Sequence, residues 1–421
     1  MQELKTETHY LTLRVFGDNI LIELMLKNCL VTTTSLNGAY SRVVPIISSF
    51  FKVMDTQLNV REDHIEFHIA DSEIKDKFPA FLKELSKIGM IGAARRSKYF
   101  WRLMPTLSSA IRLPIQDGVV ISVFKQEKQR PKNKYKESIP TLLFIATIFL
   151  VFIDGILRAN WFMSVPGSQL QDPILLAAIY TVSLMGILGI HELGHILANR
   201  KYGIKASWPY FLPGAPGFIP TLGALIVLRG KMPNRNVMFD VGIAGPIAGL
   251  IVTMIASIYG STISTLITSE EAQSLENLGP LPYGESLLMV STLHLTGMVV
   301  ENMELVASPV LFAAWLGFLI TFLNLMPAWQ LDGGHLARST LGVRWHKILT
   351  IASIAILFLL GFFFMALLVL FLSNRAMESA PLDDVTPISS KRKAFFFLAL
   401  GMAVVCAPIP TSLFGFVSLG S

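Results

Sequence analysis

The chain has 421 residues, of which 52% are hydrophobic and only 15% charged. Soluble domains carry roughly 25% charged residues, so an ordinary soluble protein is excluded and an integral membrane protein is indicated. The net charge of +6 comes with no basic stripe interleaved with aromatics, which argues against nucleic-acid binding and assigns the excess to loops on the cytoplasmic side of a membrane. Cys29 and Cys406 are too few and too far apart for a disulfide framework or a cysteine metal site.

The opening stretch MQELKTETHYLTLRVF lacks the apolar core of a signal peptide, so the first spanning helix is expected to direct insertion. Residues 1–124 read as a small soluble α+β domain. Alternating stretches predict strands at 9–16, 64–71 and 118–124. The stretch 72–92 predicts an amphipathic helix with Leu82, Leu85 and Ile88 on one side. A basic linker follows, KQEKQRPKNKYKES at 125–138, of the kind that stays cytoplasmic.

Residues 139–421 read as a multi-pass α-helical membrane domain with about six transmembrane helices, at about 139–159, 173–197, 237–260, 306–327, 346–372 and 394–417. Each approaches the ~20 residues that cross a bilayer core. With the N-terminal domain cytoplasmic, the basic loops after the second span (Arg200, Lys201, Arg229, Lys231, Arg235) and the fourth (Arg338, Arg344, Lys347) fall inside. The loop 261–305, which has no Lys or Arg, falls outside. Lys391–Lys393 would then fall outside, against the rule, unless one of the last two segments fails to cross; the last is the weaker helix pattern. The apolar stretch 208–230 contains Pro209, Pro213, Pro216 and Pro220, which rules out a straight helix and predicts a re-entrant hairpin. Residues 286–305 read as an interfacial helix.

The second span carries His191, Glu192 and His195 in the pattern H-E-x-x-H. Residues i and i+4 share a helix face, so both imidazoles can reach one metal ion while the glutamate reaches a water beside it. This is a zinc metalloprotease pattern, with the glutamate as general base. Two histidines could instead be hydrogen-bonded in a polar cavity, but burying them with a glutamate in a membrane costs several kcal/mol. A span that begins near Pro173 places His191 about 27 Å along it, close to the cytoplasmic surface. Gly189 and Gly194 leave room for a close neighbour. A catalytic zinc usually takes three protein ligands. Asp332 is the best third candidate, because it follows the fourth span and is the only acid between Glu304 and Glu378. His335 ranks behind it as a rival ligand or supporting partner.

The segment H191-E-L-G-H195 resembles the metal motif of the site-2 protease family of intramembrane zinc metalloproteases. N324-L-M-P-A-W-Q-L-D332-G333, about 140 residues later, is similar to that family's N-x-x-P-x-x-x-x-D-G pattern. FDVGIAGPIAG (239–249) resembles its third core helix, and the stretch ending in Pro220-Thr221-Leu222-Gly223-Ala224 resembles its active-site hairpin, where the nearest branch has Gly-Thr-Phe-Gly-Ala. The resemblance covers about residues 140–375, with a core at about 173–345; the PDZ domain of many members is not evident.

The resemblance implies that His191, His195 and Asp332 hold Zn2+, that Glu192 is the base, and that Asn324 stabilises the oxyanion. It also implies a hairpin that holds an unwound substrate, with Gly223 allowing close backbone approach. The expected activity is hydrolysis of a peptide bond in or near a transmembrane segment of a membrane-protein substrate, in regulated intramembrane proteolysis near the cytoplasmic face. The partners expected are that substrate and the lipid bilayer. Residues 1–124 would regulate access or recruit substrate. One rival is a membrane transporter or metal-binding membrane protein, which would need further polar residues along the spans. The other is a non-proteolytic family member acting as a binding protein, which would have lost Glu192 or a ligand.

Overall fold

The structure, a computed structural model, describes residues 14–16, 19–21, 33–59, 64–97, 118–126, 134–168, 172–228, 230–274, 284–375 and 380–409. The chain divides into two compact units, the first comprising residues 1–131, 232–235 and 380–387, the second 132–231, 236–379 and 388–421.

The first unit contains β1 (Arg14–Phe16), β2 (Asn19–Leu21), α1 (Thr33–Phe50), β3 (Val53–Asn59), β4 (His64–Ile69), α2 (Phe78–Lys87), β5 (Met90–Ser97) and β6 (Gly118–Lys125). Strands β3, β4, β6 and β5 form an antiparallel sheet in that order. Ile65, Phe67 and Ile69 of β4 lie opposite Val123, Ile121 and Val119 of β6, so strand alternation turns all six to one face. That face is buried with Val43 and Ile47 of α1 and Phe78, Phe81 and Leu85 of α2. The strands expected at 64–71 and 118–124 are present. Residues 9–13 and half of the linker, 127–133, lie outside the described residues. α2 is shorter than expected, and α1 is an element the sequence pattern did not reveal; Pro45 sits inside it.

Residues 380–387 complete this unit from far along the chain. Ala94 N–H donates to Leu382 O (2.7 Å) and Asp384 N–H to Ala94 O (3.2 Å), a short parallel bridge on the β5 edge. Leu382 N–H donates in turn to Met232 O (2.8 Å), and Leu382 and Val385 join the apolar core. The Arg95 guanidinium binds Pro381 O (2.7 Å), and Arg235 pairs with Asp384 (2.9 Å).

The second unit contains α3 (Lys134–Met163), α4 (Pro173–Lys201), β7 (Tyr210–Ala215), β8 (Ile219–Leu225), α5 (Arg235–Thr262), β9 (Thr265–Thr268), α6 (Ser269–Ser274), β10 (Glu285–Ser286), α7 (Leu287–Leu295), β11 (Met303–Val306), α8 (Pro309–Leu325), α9 (Asp332–Leu341), α10 (Val343–Leu359), α11 (Phe363–Arg375), α12 (Ser390–Cys406) and β12 (Pro408–Ile409). Among the described residues, three helices are long and apolar enough to cross a membrane: α3 from Ser138, α4 and α5. They coincide with the first three expected spans. α8, at the fourth, is a shorter apolar helix. Ile251, Ile255, Phe149 and Val182 are among the large apolar side chains these helices turn outward, as lipid-facing residues require. α4 starts where Asp172 accepts hydrogen bonds from the amides of Ile174 and Leu175.

The fifth expected span, 346–372, is not one helix. At Gly361 (φ +84°) the Phe362 amide donates to Leu357 O and the Gly361 amide to Phe358 O, the hydrogen-bond pattern of a Schellman cap that stops α10. α11 then packs against α10. Arg392 makes two 2.7 Å bonds to Asp240, near the start of α5, and Ser389 N–H donates to the side chain of Asn236. The start of α12 therefore lies at the end of the helix set where α5 begins and α4 finishes. From there α12 packs against α8 and α7, and β12 pairs with β10, which leads into α7, where Thr292 bonds Ser257 near the far end of α5. α9 and α12 both start from the end where α5 begins, and α10 and α11, joined through the Gly361 cap, connect them. Residues 410–417 of the sixth expected span lie outside the described residues.

The stretch 208–230 is a hairpin, as expected, with a register shift between Phe211 and Pro213. In the 286–305 stretch only Leu287–Leu295 is helical.

Candidate metal centre

His191 and His195 sit one turn apart on the last third of α4, and Asp332 is the first residue of α9. The structure brings the three together. His195 Nε2 lies 3.2 Å from His191 Nε2, and each Nε2 lies 3.3 Å from Asp332 Oδ2. The three are the only group of His, Cys, Asp or Glu found among the described residues with one ligand atom each within 4.8 Å of the others. Donors bound at about 2.0–2.1 Å to one tetrahedral ion stand about 3.3 Å apart, so this triangle has the edge such an ion requires.

Protonation points the same way. His195 Nδ1 lies 2.8 Å from Val241 O, a carbonyl that can only accept, so the ring hydrogen sits on Nδ1. In its neutral form His195 turns a bare Nε2 lone pair toward a carboxylate oxygen. A cation between them converts that repulsion into two bonds, and the Val241 carbonyl orients the ring as a supporting partner does in metal sites. The donor set, two imidazoles and one carboxylate, fits a zinc-type ion.

Small residues on α5 make room for the rings. A Cβ at Gly245 would lie 2.2 Å from His195 Nε2, and one at Gly249 would lie 3.0 Å from His191 Cβ. On α4, a Cβ at Gly194 would meet Ala244 O at 2.6 Å, so the two helices touch through backbone here. Gly189 does not share this role: nothing lies within 4 Å of a Cβ placed there.

Asp332 is presented by a tight loop between α8 and α9. A Cβ at Gly333 would lie 2.0 Å from Leu325 O, and one at Gly334 would lie 2.3 Å from Trp329 O. The Asp-Gly-Gly run is thus demanded by the loop folding back on the first turn of α9. Trp329 holds a positive φ (45°), with its carbonyl bonded by His346 (2.8 Å) and its amide by Thr350 (3.1 Å), both from α10.

Glu192 is buried beside His191 on α4. Asn324, near the end of α8, places Nδ2 3.4 Å from His191 Nε2. His335, the rival ligand, is outside the convergent group and lies against Gly242. Gly223 has φ +93° and open space around it, so the demand for glycine comes from the backbone conformation of a bulge in β8 and not from crowding. The residues that sequence reasoning missed are Gly245, Gly249 and Val241. They lie about 50 residues from the histidines they support, and their only signal was the small-residue run of FDVGIAGPIAG.

A model of peptidase family M50 matches residues 179–368, from the first half of α4 into α11. This segment is similar to peptidase family M50. The matched segment holds every group of the convergent site and the β7–β8 hairpin. The chain is 31% identical over 284 residues to probable zinc metalloprotease EGY2, chloroplastic, of Arabidopsis thaliana, covering 64% of this chain and 49% of that protein. It is 26% identical over 280 residues to its namesake in Oryza sativa subsp. indica (63% and 49%). It is 28% identical over 250 residues to probable zinc metalloprotease EGY1, chloroplastic, of Arabidopsis thaliana (57% and 44%). The chain spans about half the length of the curated relatives it matches. No solved structure matches it.

Proposed function

We propose that this chain is an intramembrane zinc metalloprotease of the site-2 type, which hydrolyses a peptide bond in or near a membrane-spanning segment of another protein. The observation that carries this is the near-equilateral triangle of His191, His195 and Asp332 donor atoms, built from two helices with Glu192 buried alongside.

In this reading His191, His195 and Asp332 hold the ion. When bound, zinc lowers the pKa of a coordinated water to about 7 and polarises the scissile carbonyl. Glu192 takes the proton from the attacking water and passes it to the departing amine nitrogen. The Asn324 amide donates a hydrogen bond to the oxygen on which negative charge develops. The hairpin offers β8, which among the described residues pairs only with β7, as an edge for an unwound substrate strand. Leu222 and Leu225 on β8 are exposed, as apolar contacts for such a strand, and the Gly223 bulge shapes that edge.

α3, α4, α5, α8 and α12 would cross the bilayer while α10–α11 re-enters. Lys201, Arg235, Lys347 and Arg392 then belong to one side, which the positive-inside rule makes cytoplasmic, with the metal group near that face. Residues 1–124 would govern substrate choice or access.

The test is to purify the protein, measure bound zinc, and assay cleavage of a single-span substrate alongside Glu192→Gln and Asp332→Asn. Full activity in both variants would overturn the assignment.

A further inference from the structure

Asp154 is a fully buried carboxylate in the apolar run of α3. Its Oδ2 accepts from Tyr180 O–H on α4 (2.6 Å) and from Arg158 Nε one turn along α3 (2.7 Å). Its Oδ1 accepts from the Gly217 amide (2.7 Å), in the turn that joins β7 to β8. Arg158 also stacks over the Phe312 ring of α8, 3.6 Å from its centroid.

The turn explains why a carboxylate is there. Phe218 N–H donates to Ala215 O, with Pro216 and Gly217 (φ +83°) between them, the residue pattern of a type II turn. In that turn the amide of the third residue takes no part in the turn's own hydrogen bond and is free to donate elsewhere. Asp154 supplies the acceptor. Tyr180 is 11 residues before His191, about 16 Å along α4, so Asp154 takes no part in the metal site. A buried carboxylate in a membrane helix is costly, and among the described residues Gly217 is the only partner that ties this one to an element outside the helix bundle.

We propose that Asp154 is a positioning residue, which pins the hairpin turn and so sets where β8 is presented to the substrate. This rests on reading β8 as the substrate's docking edge. The hairpin would then be anchored at its turn by one charge-assisted hydrogen bond while its outer edge stays free.

The experiment compares wild type with Asp154→Leu, Asp154→Asn and Tyr180→Phe in the intact protein. It reads hydrogen exchange of residues 216–218, zinc content, and kcat and KM for a single-span substrate. Asp154→Leu is expected to speed exchange at Gly217 and raise KM roughly tenfold, the factor for losing one hydrogen bond to a charged group, with zinc content and kcat near wild type. Asp154→Asn, which keeps an acceptor, should fall between. Tyr180→Phe strips a donor from the same carboxylate but leaves the Gly217 bond, so its KM and exchange should stay close to wild type. Unchanged exchange and KM in Asp154→Leu would overturn the proposal, as would a Tyr180→Phe effect of equal size. If wild type binds zinc but cleaves nothing, the protease reading fails, and the exchange at Gly217 alone decides whether Asp154 pins the turn.

Discussion

Gly245 lies flush against His195, so close that a single methyl group there would come within 2.2 Å of the ring nitrogen facing Asp332. That atom is the end of a ring whose other nitrogen is held by Val241 O, so it cannot retreat without losing its orienting bond. Gly245→Ala should therefore abolish stoichiometric zinc binding and activity together. Elemental analysis of the purified variant checks this; full zinc occupancy would show that the ring has room the geometry denies.

Glu192 and Asp332 should separate chemistry from metal binding. Glu192→Gln keeps both imidazoles and the carboxylate of the triangle, so zinc should stay while turnover falls about 100-fold or more, the usual contribution of a general base. Asp332→Asn removes the one anionic donor and should lose zinc as well as activity. Equal zinc loss in the two variants would contradict the roles assigned here.

Chelation should destabilise the protein through the same three residues. A metal that binds only the folded state adds about 2.7 kcal/mol of stability at a hundredfold excess over its dissociation constant. A chelator should thus lower the wild-type Tm and leave Asp332→Asn unmoved. A shift of equal size in both would place the stabilising metal elsewhere.

Side-specific labelling tests the re-entrant pair. In a background with Cys29 and Cys406 replaced by Ser, cysteines introduced at Lys201 and Lys393 should react from one face of a sealed vesicle, and one at Glu270 from the opposite face. Lys393 reacting together with Glu270 would mean that α10–α11 crosses after all.

The convergence of His191, His195 and Asp332 was legible because its signals are local: an i, i+4 pair on one helix, and one acid in a long stretch without others. The supporting groups were not. Gly245 and Val241 matter through contacts with residues far away in sequence, and a glycine among alanines on an apolar helix looks like ordinary helix packing. Asp154 vanished for a related reason, since one acid in a long apolar run leaves its mean hydropathy high. The break at Gly361 had a signal in two places, the glycine within FLLGFFF and the basic triplet at 391–393, but a hydropathy window averages over both. α1 was hidden by Pro45 and its β-branched residues, and the packing of Val43 and Ile47 overrides that weak local preference.

The late arrival of Leu382 and Val385 in the first unit imposes an order on biosynthesis. A ribosome that has finished β6 has delivered the whole four-stranded sheet, yet the β5 edge still lacks its neighbour and two core side chains have not been translated. Every helix from α3 to α11 must emerge first. The β5 edge thus stays uncovered until residue 382 has been translated, and nascent chains arrested before residue 380 should be cut within this unit by a protease that spares chains arrested well after residue 387.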